Sequence, residues 1–588
     1  MATDTSHTAQ ATNDPSKDSP GVLLSTSLAE EHPTNSESTD EEKKSDASQR
    51  AEQVAPEDGE SPSDPEKVSY GWRFWIIYAS LVAATLLSAL DGSIVATALP
   101  TIARNLETGP DFIWVVNIYF LTGAVFQPLF AQLSDLWGRR WVFIGVVAIF
   151  VLGSGLCGGA HNGNMLIAAR AVQGVGAGGL NIMVDIIISD LVPMRDRSKF
   201  LGMIFAIIGV FTALGPLIGG ALAQNGLWPW VFYINLPIGG VCLLVMFFFL
   251  HTGTPEKSSF TAKMARLDYI GIALLTISCI LIMYATTYAG TRYAWSSAPV
   301  LGPLVPGLLL LPLFGLYETV PSSPVVPLRL FANRTSAAAF AITFLHSILC
   351  LWTVYIFALY FQSVLLASAT RAGVCLLPTV LTFPTSAALG GGLMAKTGRY
   401  KPLHLASFAL LTLGCGLASI LGPTSSPTAW VFFQIFVSVG IGLPMACLLP
   451  VVQAELGEGD VALSTGTWAF IRSVGTIWAV AVPAAVFGNR FEALLGSVGD
   501  EAARAVLSGG EAYAHGTADF VGGFEGIVGE QVLAVYSASI QRVWQVGVVF
   551  SGVCFLLVLL EKEVELRQEL DTEFGLKEGD KGMKEPSP

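Results

Sequence analysis

Apolar runs of about twenty residues recur along this chain, and they constrain its fold more than any other feature. A helix needs roughly 20 residues to cross about 30 Å of hydrocarbon, and the chain is 52% apolar and only 13% charged. We therefore predict an all-α integral membrane protein with fourteen spans, at residues 74–98, 113–134, 141–160, 164–189, 200–223, 230–250, 268–289, 299–317, 338–361, 372–394, 402–422, 429–452, 463–488 and 540–560.

The net charge of −13 belongs to the two ends of the chain. Residues 1–70 hold sixteen acids against five bases, and residues 561–588 hold nine against five. The first seventy residues also lack an aromatic residue before Tyr70, so this composition predicts a disordered acidic tail without an apolar signal sequence. The acidity therefore indicates nothing about a substrate.

Basic residues in the short loops predict the orientation, because they collect on the cytoplasmic side of a membrane. The loops on the same side as both tails carry thirteen bases, and the short loops opposite carry three. Both termini are thus predicted to be cytoplasmic, in a cell membrane or alternatively a vacuolar or vesicle membrane. Residues 489–539 then form a long external loop.

Two similar sequence segments predict that the chain contains two repeated halves. Residues 131–141 read AQLSDLWGRRW and residues 392–401 read GLMAKTGRYK, each placing Gly-Arg and a further base after an apolar run. Such repeats are typical of transporters. The predicted domains are a six-helix half at 71–250, a two-helix central insert at 251–335, a second six-helix half at 336–560, and a cytoplasmic tail at 561–588.

Placing a charged residue inside a membrane span costs free energy, and such residues usually have a function. Asp91 is the only acid in the first span, where it lies within LDGSIVATALP. It must face the bundle interior, either to change protonation or to pair permanently with a base on a facing helix. Arg170 and QGVGAGG follow in the fourth span, and GVFTALGPLIGG lies in the fifth.

These segments and AQLSDLWGRRW resemble the major facilitator superfamily, in particular its fourteen-spanner drug:proton antiporter branch of fungal type. The resemblance extends from about residue 72 to residue 575 and implies the major facilitator fold, two six-helix halves plus two central helices. It also implies proton coupling by Asp91 and Arg170, although a purely structural Asp91 stays open. Asp185 and His346 are further candidates for proton transfer or for structural hydrogen bonding.

The loop motif implies a cytoplasmic gate. The resemblance implies that Asp135 and the arginine pair Arg139 and Arg140 interact with each other and with helix ends, and so hold helices together at the cytoplasmic gate. The alternative is that the arginines only fix the topology. Ala131 and Leu136 depart from the usual family residues. The gate residues are Asp135, Gly138, Arg139 and Arg140.

The fifth-span motif implies an antiporter hinge, because small residues allow close helix approach and proline bends a helix. Its residues are Gly209, Gly215, Pro216, Gly219 and Gly220. Gly174, Gly176 and Gly179 also match a nucleotide-binding spacing, but no strand precedes them and the segment is transmembrane, so helix packing explains them better.

Polar and aromatic residues on central spans would suit a mostly apolar pocket with a few polar anchors. The candidates are Gln127, Tyr355, Tyr360, Phe361, Gln362 and Arg472. The eight cysteines lie inside or at the ends of apolar runs, which indicates buried small side chains rather than disulfides or metal ligands.

No ATP-binding motif or catalytic constellation appears, so the sequence predicts neither an enzyme nor a cofactor and leaves the proton gradient as the energy source. The predicted function is proton-coupled export of small, largely hydrophobic drugs, toxins or fungal secondary metabolites by alternating access. The predicted partners are that small molecule, protons and the lipid bilayer, with no nucleic acid, for a monomer. Alternatives are proton-coupled uptake of a siderophore or of a vacuolar basic amino acid, and a non-transporting nutrient sensor.

Overall fold

The computed structural model describes residues 70–106, 114–251, 259–289, 293, 295–509 and 511–567. Within these residues the chain forms 22 α-helices and no β-strand beyond one isolated bridge between Ala289 and Tyr293. The predictions for the acidic tail at 1–69 and for residues 568–588 lie outside the described residues.

The stretch predicted as the N-terminal half is helical almost throughout. Its helices are α1 (Trp72–Asn105), α2 (Trp114–Val125), α3 (Gln127–Trp137), α4 (Arg139–Gly158), α5 (Gly163–Leu191), α6 (Met194–Gln224), α7 (Trp230–Tyr233) and α8 (Asn235–Phe249). Helix α1 packs along α6, and α5 packs against both α2 and α4.

The predicted central insert contains a short helix and a helical hairpin: α9 (Phe260–Ala265), α10 (Tyr269–Tyr288) and α11 (Ala298–Tyr317). Helix α11 is 17% buried and packs mainly on α10, so it lies at the periphery of the described bundle. It continues through Pro303, Pro306 and Pro312, as membrane helices tolerate. Helix α10 contacts α2 and α18, and the Trp114 indole donates to the Tyr288 hydroxyl over 2.8 Å.

The remaining helices belong to the stretch predicted as the C-terminal half. They are α12 (Arg334–Ser363), α13 (Ala369–Cys375), α14 (Leu377–Thr397), α15 (Lys401–Ala418), α16 (Pro427–Met445), α17 (Leu448–Gln453), α18 (Val461–Leu495), α19 (Glu501–Leu507), α20 (Glu511–Ala514), α21 (Ala518–Val521) and α22 (Gly526–Leu560). Helix α12 packs on α18 and α22, while α16 packs on α14 and α15.

Twelve stretches of the described chain are helical, long and apolar enough to cross a membrane, and α2 with α3 makes a thirteenth if this bent pair is one span. The predicted fifth span, 200–223, lies within the 31-residue helix α6, which is not among those twelve. The all-helical membrane fold is therefore confirmed, and the count of fourteen spans stays a prediction.

The predicted span 113–134 is not one straight helix. Helices α2 and α3 meet at Phe126 with a 42° bend. Pro128 lies in the first turn of α3, where it lacks an N–H donor and its ring would clash with the carbonyl four residues earlier in a continuous helix. The apolar pattern predicted the segment correctly, but proline decides its shape.

Helical structure extends well into residues 489–539, where we expected a long loop. Helix α18 continues to Leu495 because Phe487, Phe491 and Leu495 repeat at helical spacing and remain buried despite the intervening charges. The rings of Phe487 and Phe491 pack against Tyr536, which lies in α22. Only residues 496–525 separate the two long helices, and they include the three short helices α19–α21.

The two halves are joined on the side where α1 begins and α22 ends, which we call the tail face. Here the Arg197 guanidinium donates to Gln453 Oε1 over 2.8 Å, and the Ser198 hydroxyl donates to the Gly391 carbonyl over 3.0 Å. Arg195 donates to two carbonyls at the end of α14. Sequence reasoning counted Arg195 and Arg197 only as orientation signals, yet both connect the halves.

Candidate proton-coupling site and gate

Asp91 is fully buried near the middle of α1, and three donors hold its carboxylate. Arg170 Nη1 lies 2.5 Å from Oδ2, while Gln173 Nε2 and Asn235 Nδ2 lie 2.7 Å and 3.2 Å from Oδ1. The side chain of Asp91 is 0% exposed and that of Arg170 is 1% exposed. The predicted pair is therefore present, as one buried ion pair that links α1 to α5.

The arginine has acceptors beyond Asp91. Its Nε donates to the Val115 carbonyl over 3.0 Å, and Nη1 also donates to Gln173 Oε1 over 2.6 Å. Its guanidinium lies 4.0 Å from the centre of the Tyr119 ring. A buried charge without such partners would cost several kcal/mol, so these contacts allow the pair to exist inside the bundle.

Sequence reasoning missed Gln173 and Asn235 as members of this network. Both also contact the Ser154 hydroxyl, at 2.8 Å and 3.3 Å, which ties α4 and α8 to the pair. Gln173 follows Arg170 by three residues and so shares its helix face, a spacing that would have identified it. Asn235 lies 144 positions from Asp91, and no local signal connects them.

The predicted gate motif forms a charge cluster at the tail face around Arg139. Its guanidinium contacts Asp135 Oδ1 and Asp190 Oδ2, each at 2.7 Å. Asp190, at the end of α5, is the more buried carboxylate, with a side chain 4% exposed against 30% for Asp135. Sequence reasoning missed Asp190, because the motif at residues 131–141 contains Asp135 but not Asp190.

Arg140 lies outside this cluster. Its guanidinium donates to the Phe247 carbonyl and lies over the Trp141 ring, at 5.3 Å from the ring centre. Gly138 has φ +87°, a left-handed value that favours glycine, and it allows the chain to turn between α3 and α4. The cluster of Arg139, Asp135 and Asp190 joins α3, α4 and α5 within the N-terminal half.

Two glycines of the predicted hinge are close-packing positions. A Cβ on Gly215 would collide with Ser93 of α1, two residues from Asp91, and a Cβ on Gly209 would collide with Pro384 of α14. A Cβ on Gly220 would meet nothing within 4 Å. The backbone of α6 remains helical through Pro216 and Gly219. Helix α6 thus contacts the Asp91 helix and the opposite half through glycine.

Two of the six predicted pocket residues lie where the halves meet. Gln127 Oε1 accepts from the Ser473 hydroxyl over 3.2 Å, and Arg472 lies 4.0 Å from Asp185. The Arg472 guanidinium also lies 4.4 Å from the centre of the Trp468 ring. These contacts connect α3 and α5 with α18.

The other four pocket candidates lie on α12, away from these contacts. Tyr360 is buried and donates to the Gly422 carbonyl over 2.9 Å, and Phe361 packs against Trp430. Tyr355 is exposed, and Gln362 bonds within its own helix. His346 is buried beside the Ile441 carbonyl, 2.7 Å away. The structure does not gather the six candidates into one place.

Together these features define a polytopic α-helical membrane protein with a fully buried ion pair inside the bundle. The chain belongs to the Major Facilitator Superfamily, whose family model matches residues 81–480. This confirms the family resemblance found in the motifs.

Fungal relatives match most of the chain. The MFS-type efflux transporter pyiT of Pyricularia grisea is 45% identical over 532 residues, which cover 88% of each chain. The MFS-type efflux transporters phmH of Phaeosphaeria nodorum and ffsH of Aspergillus flavipes are each 46% identical and cover 88% and 87% of this chain, and 90% and 89% of their own lengths. The crystal structure of the human organic anion transporter MFSD10 superposes with a TM-score of 0.53 at 15% identity, covering 83% of this chain and all of that one, and shows the shared fold.

Proposed function

We propose that this protein exports small, largely hydrophobic compounds by alternating access and that entry of protons drives the export. The observation that supports this most is the buried Asp91–Arg170 pair, since charged side chains inside a membrane bundle are energetically costly and usually mark a transport pathway. The name efflux transporter, which several relatives carry, supports the direction.

The proposed coupling begins with the charge of Asp91. A proton on Oδ2 removes the negative partner of Arg170, while Oδ1 still accepts from Gln173 and Asn235. Arg170 then keeps only the neutral acceptors Val115 O and Gln173 Oε1. The attraction between α1 and α5 weakens as a result. The ionised and the protonated forms of Asp91 therefore favour two different arrangements of these helices.

Helix α6 carries the change to the other half. Gly215 lies against Ser93, just beyond Asp91 on α1, and Gly209 lies against Pro384 on α14. A shift of α1 is therefore transmitted to α14 through the contacts of these two glycines with the short side chains of Ser93 and Pro384. The bonds of Arg195, Arg197 and Ser198 at the tail face must break when that face opens.

The compound binds between the halves beside Arg472. Asp185, Gln127 and Ser473 provide polar anchors there, and Trp468 with Phe205 provides apolar surface next to the guanidinium. A few polar groups among apolar ones suit a hydrophobic compound of moderate size.

The protein acts as a monomer in the plasma membrane with both termini in the cytoplasm, and it needs no cofactor besides the proton gradient.

An accumulation assay tests the export. The gene is expressed in a yeast strain that lacks its own drug exporters, and rhodamine 6G, cycloheximide and fluconazole are measured inside the cells. We expect at least one compound to accumulate less with the wild type than with Asp91→Asn. Asp519→Asn, which removes an exposed acid on α21, is the matched control and keeps export. Higher accumulation with the wild type would indicate uptake, and no change with any compound would contradict transport of this class.

A further inference from the structure

The insert contains a pair of buried acids that the proposed transport cycle does not use. Asp268 immediately precedes α10 and Glu318 immediately follows α11, so both lie at the same end of the helical hairpin. They are only 5% and 3% exposed. Each has one satisfied oxygen: Asp268 Oδ1 accepts from the Gly271 amide over 2.8 Å, and Glu318 Oε2 accepts from the Val326 amide over 2.9 Å.

The second oxygen of each acid is buried and makes no hydrogen bond, although the Tyr317 hydroxyl lies beside Asp268. Asp268 Oδ2 and Glu318 Oε1 have no hydrogen-bond partner. A Cβ placed on Gly271 would collide with the first and lie 2.5 Å from the second, so both oxygens face one small space. Two ionised carboxylates can only accept, and buried acceptors without donors are unfavourable.

The surroundings provide no compensating positive charge. Within the described residues no basic side chain lies within ion-pair distance of either acid, including Lys263 and Arg266 on the neighbouring helix α9 and its end. The Tyr317 hydroxyl is the further titratable group beside Asp268. Burial and the neighbouring Asp268 raise the pKa of Glu318 to about 8, while amide donors oppose this shift.

We propose that Asp268 and Glu318 form a proton-binding site in which one shared proton joins Oδ2 to Oε1. A single proton turns one acceptor into a donor and satisfies both unpartnered oxygens at once. Gly271 is required because any side chain would fill the space between them.

The site controls how the segment at residues 319–327 is held against helices α2, α3 and α18. Glu318 binds this segment through the Val326 amide, and Gln132 Nε2 of α3 donates to the Ser323 carbonyl over 2.8 Å. Val325 and Val326 are buried in one apolar cluster with residues of α2 and with Phe470 of α18. Loss of the proton places two negative charges at the base of this segment and loosens its contact with α3.

The pH dependence of stability tests the shared proton. The unfolded Glu318 carboxyl ionises near its ordinary pKa of about 4.3, and the folded pKa is about 8. The site therefore stabilises the fold fully below the unfolded pKa and loses that contribution as the pH rises to the folded pKa. In detergent, the unfolding midpoint of the full chain, followed by a thiol-reactive dye on its largely buried cysteines, should fall between pH 5.5 and pH 8.

Glu318→Gln is the informative variant, because its amide can donate to Asp268 and still accept from the Val326 amide at every pH. Its midpoint should fall clearly less over this pH range than that of the wild type, and the infrared band of a protonated carboxylic acid that disappears above pH 8 should be absent. Glu525→Gln, at an exposed acid, should behave as the wild type. Identical pH profiles for the wild type and Glu318→Gln would overturn the proposal. The proposal would also be overturned if sodium ions raised the unfolding midpoint at pH 9 in the wild type but not in Glu318→Gln. That result would indicate a cation site.

Thiol reactivity tests the effect on the segment. Cysteine is introduced at Ser323, or at the exposed Ser322 as a reference for thiol ionisation. The ratio of maleimide rates, position 323 over position 322, should rise severalfold from pH 6 to pH 9 and should stay constant in the Glu318→Gln background. A ratio that is constant in both backgrounds would contradict the control of this segment by the acid pair. These measurements use no transported compound, so they are independent of the proposed export.

Discussion

Asp91 is held by donors from two other helices, so replacing it changes more than one charge. In Asp91→Asn the new amide group faces Arg170, whose charge is then buried without its negative partner. Removing one member of a buried pair typically costs about 3–5 kcal/mol. Loss of transport in this variant alone would therefore not separate a coupling role from a structural one.

The double variant Asp91→Asn with Arg170→Gln separates the two roles. It removes both charges and retains hydrogen-bonding side chains, so we expect its unfolding midpoint to recover much of the loss in Asp91→Asn. Transport driven by the proton gradient should stay absent, because no titratable group replaces Asp91. Recovery of uphill transport together with stability would show that Asp91 is structural and would direct attention to Asp185 or His346.

The two acids around Arg139 should differ in importance. Asp190 is the more buried partner, so Asp190→Asn leaves a buried charge less compensated than Asp135→Asn does. We expect Asp190→Asn to lower the unfolding midpoint and the export rate clearly, and Asp135→Asn to have a smaller effect, since partly exposed ion pairs contribute about 0–1 kcal/mol. Equal effects, measured at matched expression, would contradict this ranking.

At the scale of elements, helix α6 is the strongest link between the two halves. Its contact with α14 is close because Gly202 and Gly209 lie against Ala387 and Pro384, and Gly391 lies against Ser198 in return. Sequence reasoning identified Gly209 but neither Gly202 nor Gly391, because only the fifth-span motif resembled a known signature.

Gly209→Leu tests this contact, and Gly220→Leu on the same helix is its control. A leucine at 209 must displace Pro384, whereas a leucine at 220 enters open space. We expect the first variant to reduce export at least tenfold and to lower disulfide formation between cysteines introduced at Arg195 and Lys396, which report closure of the tail face. If Gly220→Leu reduced both readouts as much as Gly209→Leu, the effect would reflect helix propensity and not contact between the halves.

The start of the C-terminal tail is a further structural element. Glu561 is buried against His404 at 3.0 Å, and the Arg195 amide donates to the Arg567 carbonyl over 3.2 Å. Residues 561–567 therefore contact both halves at the tail face. Composition predicted only an acidic tail here, because the side-chain partners of these residues lie more than 100 positions away along the chain.

At the scale of the whole molecule, the apolar runs predicted nearly every long helix, because lipid requires continuous helices of fixed minimum length. They did not predict the bend at Phe126 or the extension of α18 to Leu495, which depend on Pro128 and on a buried aromatic stripe. Asp91 and Arg170 were found because charges are rare inside spans. Asp190, Asn235 and the Asp268–Glu318 pair escaped because each depends on contacts distant in sequence or lies at a span end where acids are common.

The predicted orientation can be measured with glycosylation sites. Asn333-Arg334-Thr335 is a sequon on the predicted cytoplasmic side, and Asn333 also caps α12 by accepting from the Ser336 amide over 2.7 Å. It should remain unmodified in a eukaryotic host. His515→Asn creates a sequon with Gly516 and Thr517 in the stretch predicted to be external, and this variant should gain an endoglycosidase-sensitive mass. The opposite pattern would reverse the assigned sides.

Proton movement during transport tests the central proposal most directly. The purified chain is reconstituted in liposomes that contain a pH-sensitive dye, and the compound whose accumulation fell most in yeast is added outside. We predict that inward movement of the compound drives protons outward in the wild type and in Asp519→Asn, and that this proton flux is absent in Asp91→Asn and in the double variant. Transport of the compound by the wild type without proton movement, or an undiminished proton flux in Asp91→Asn, would contradict the account.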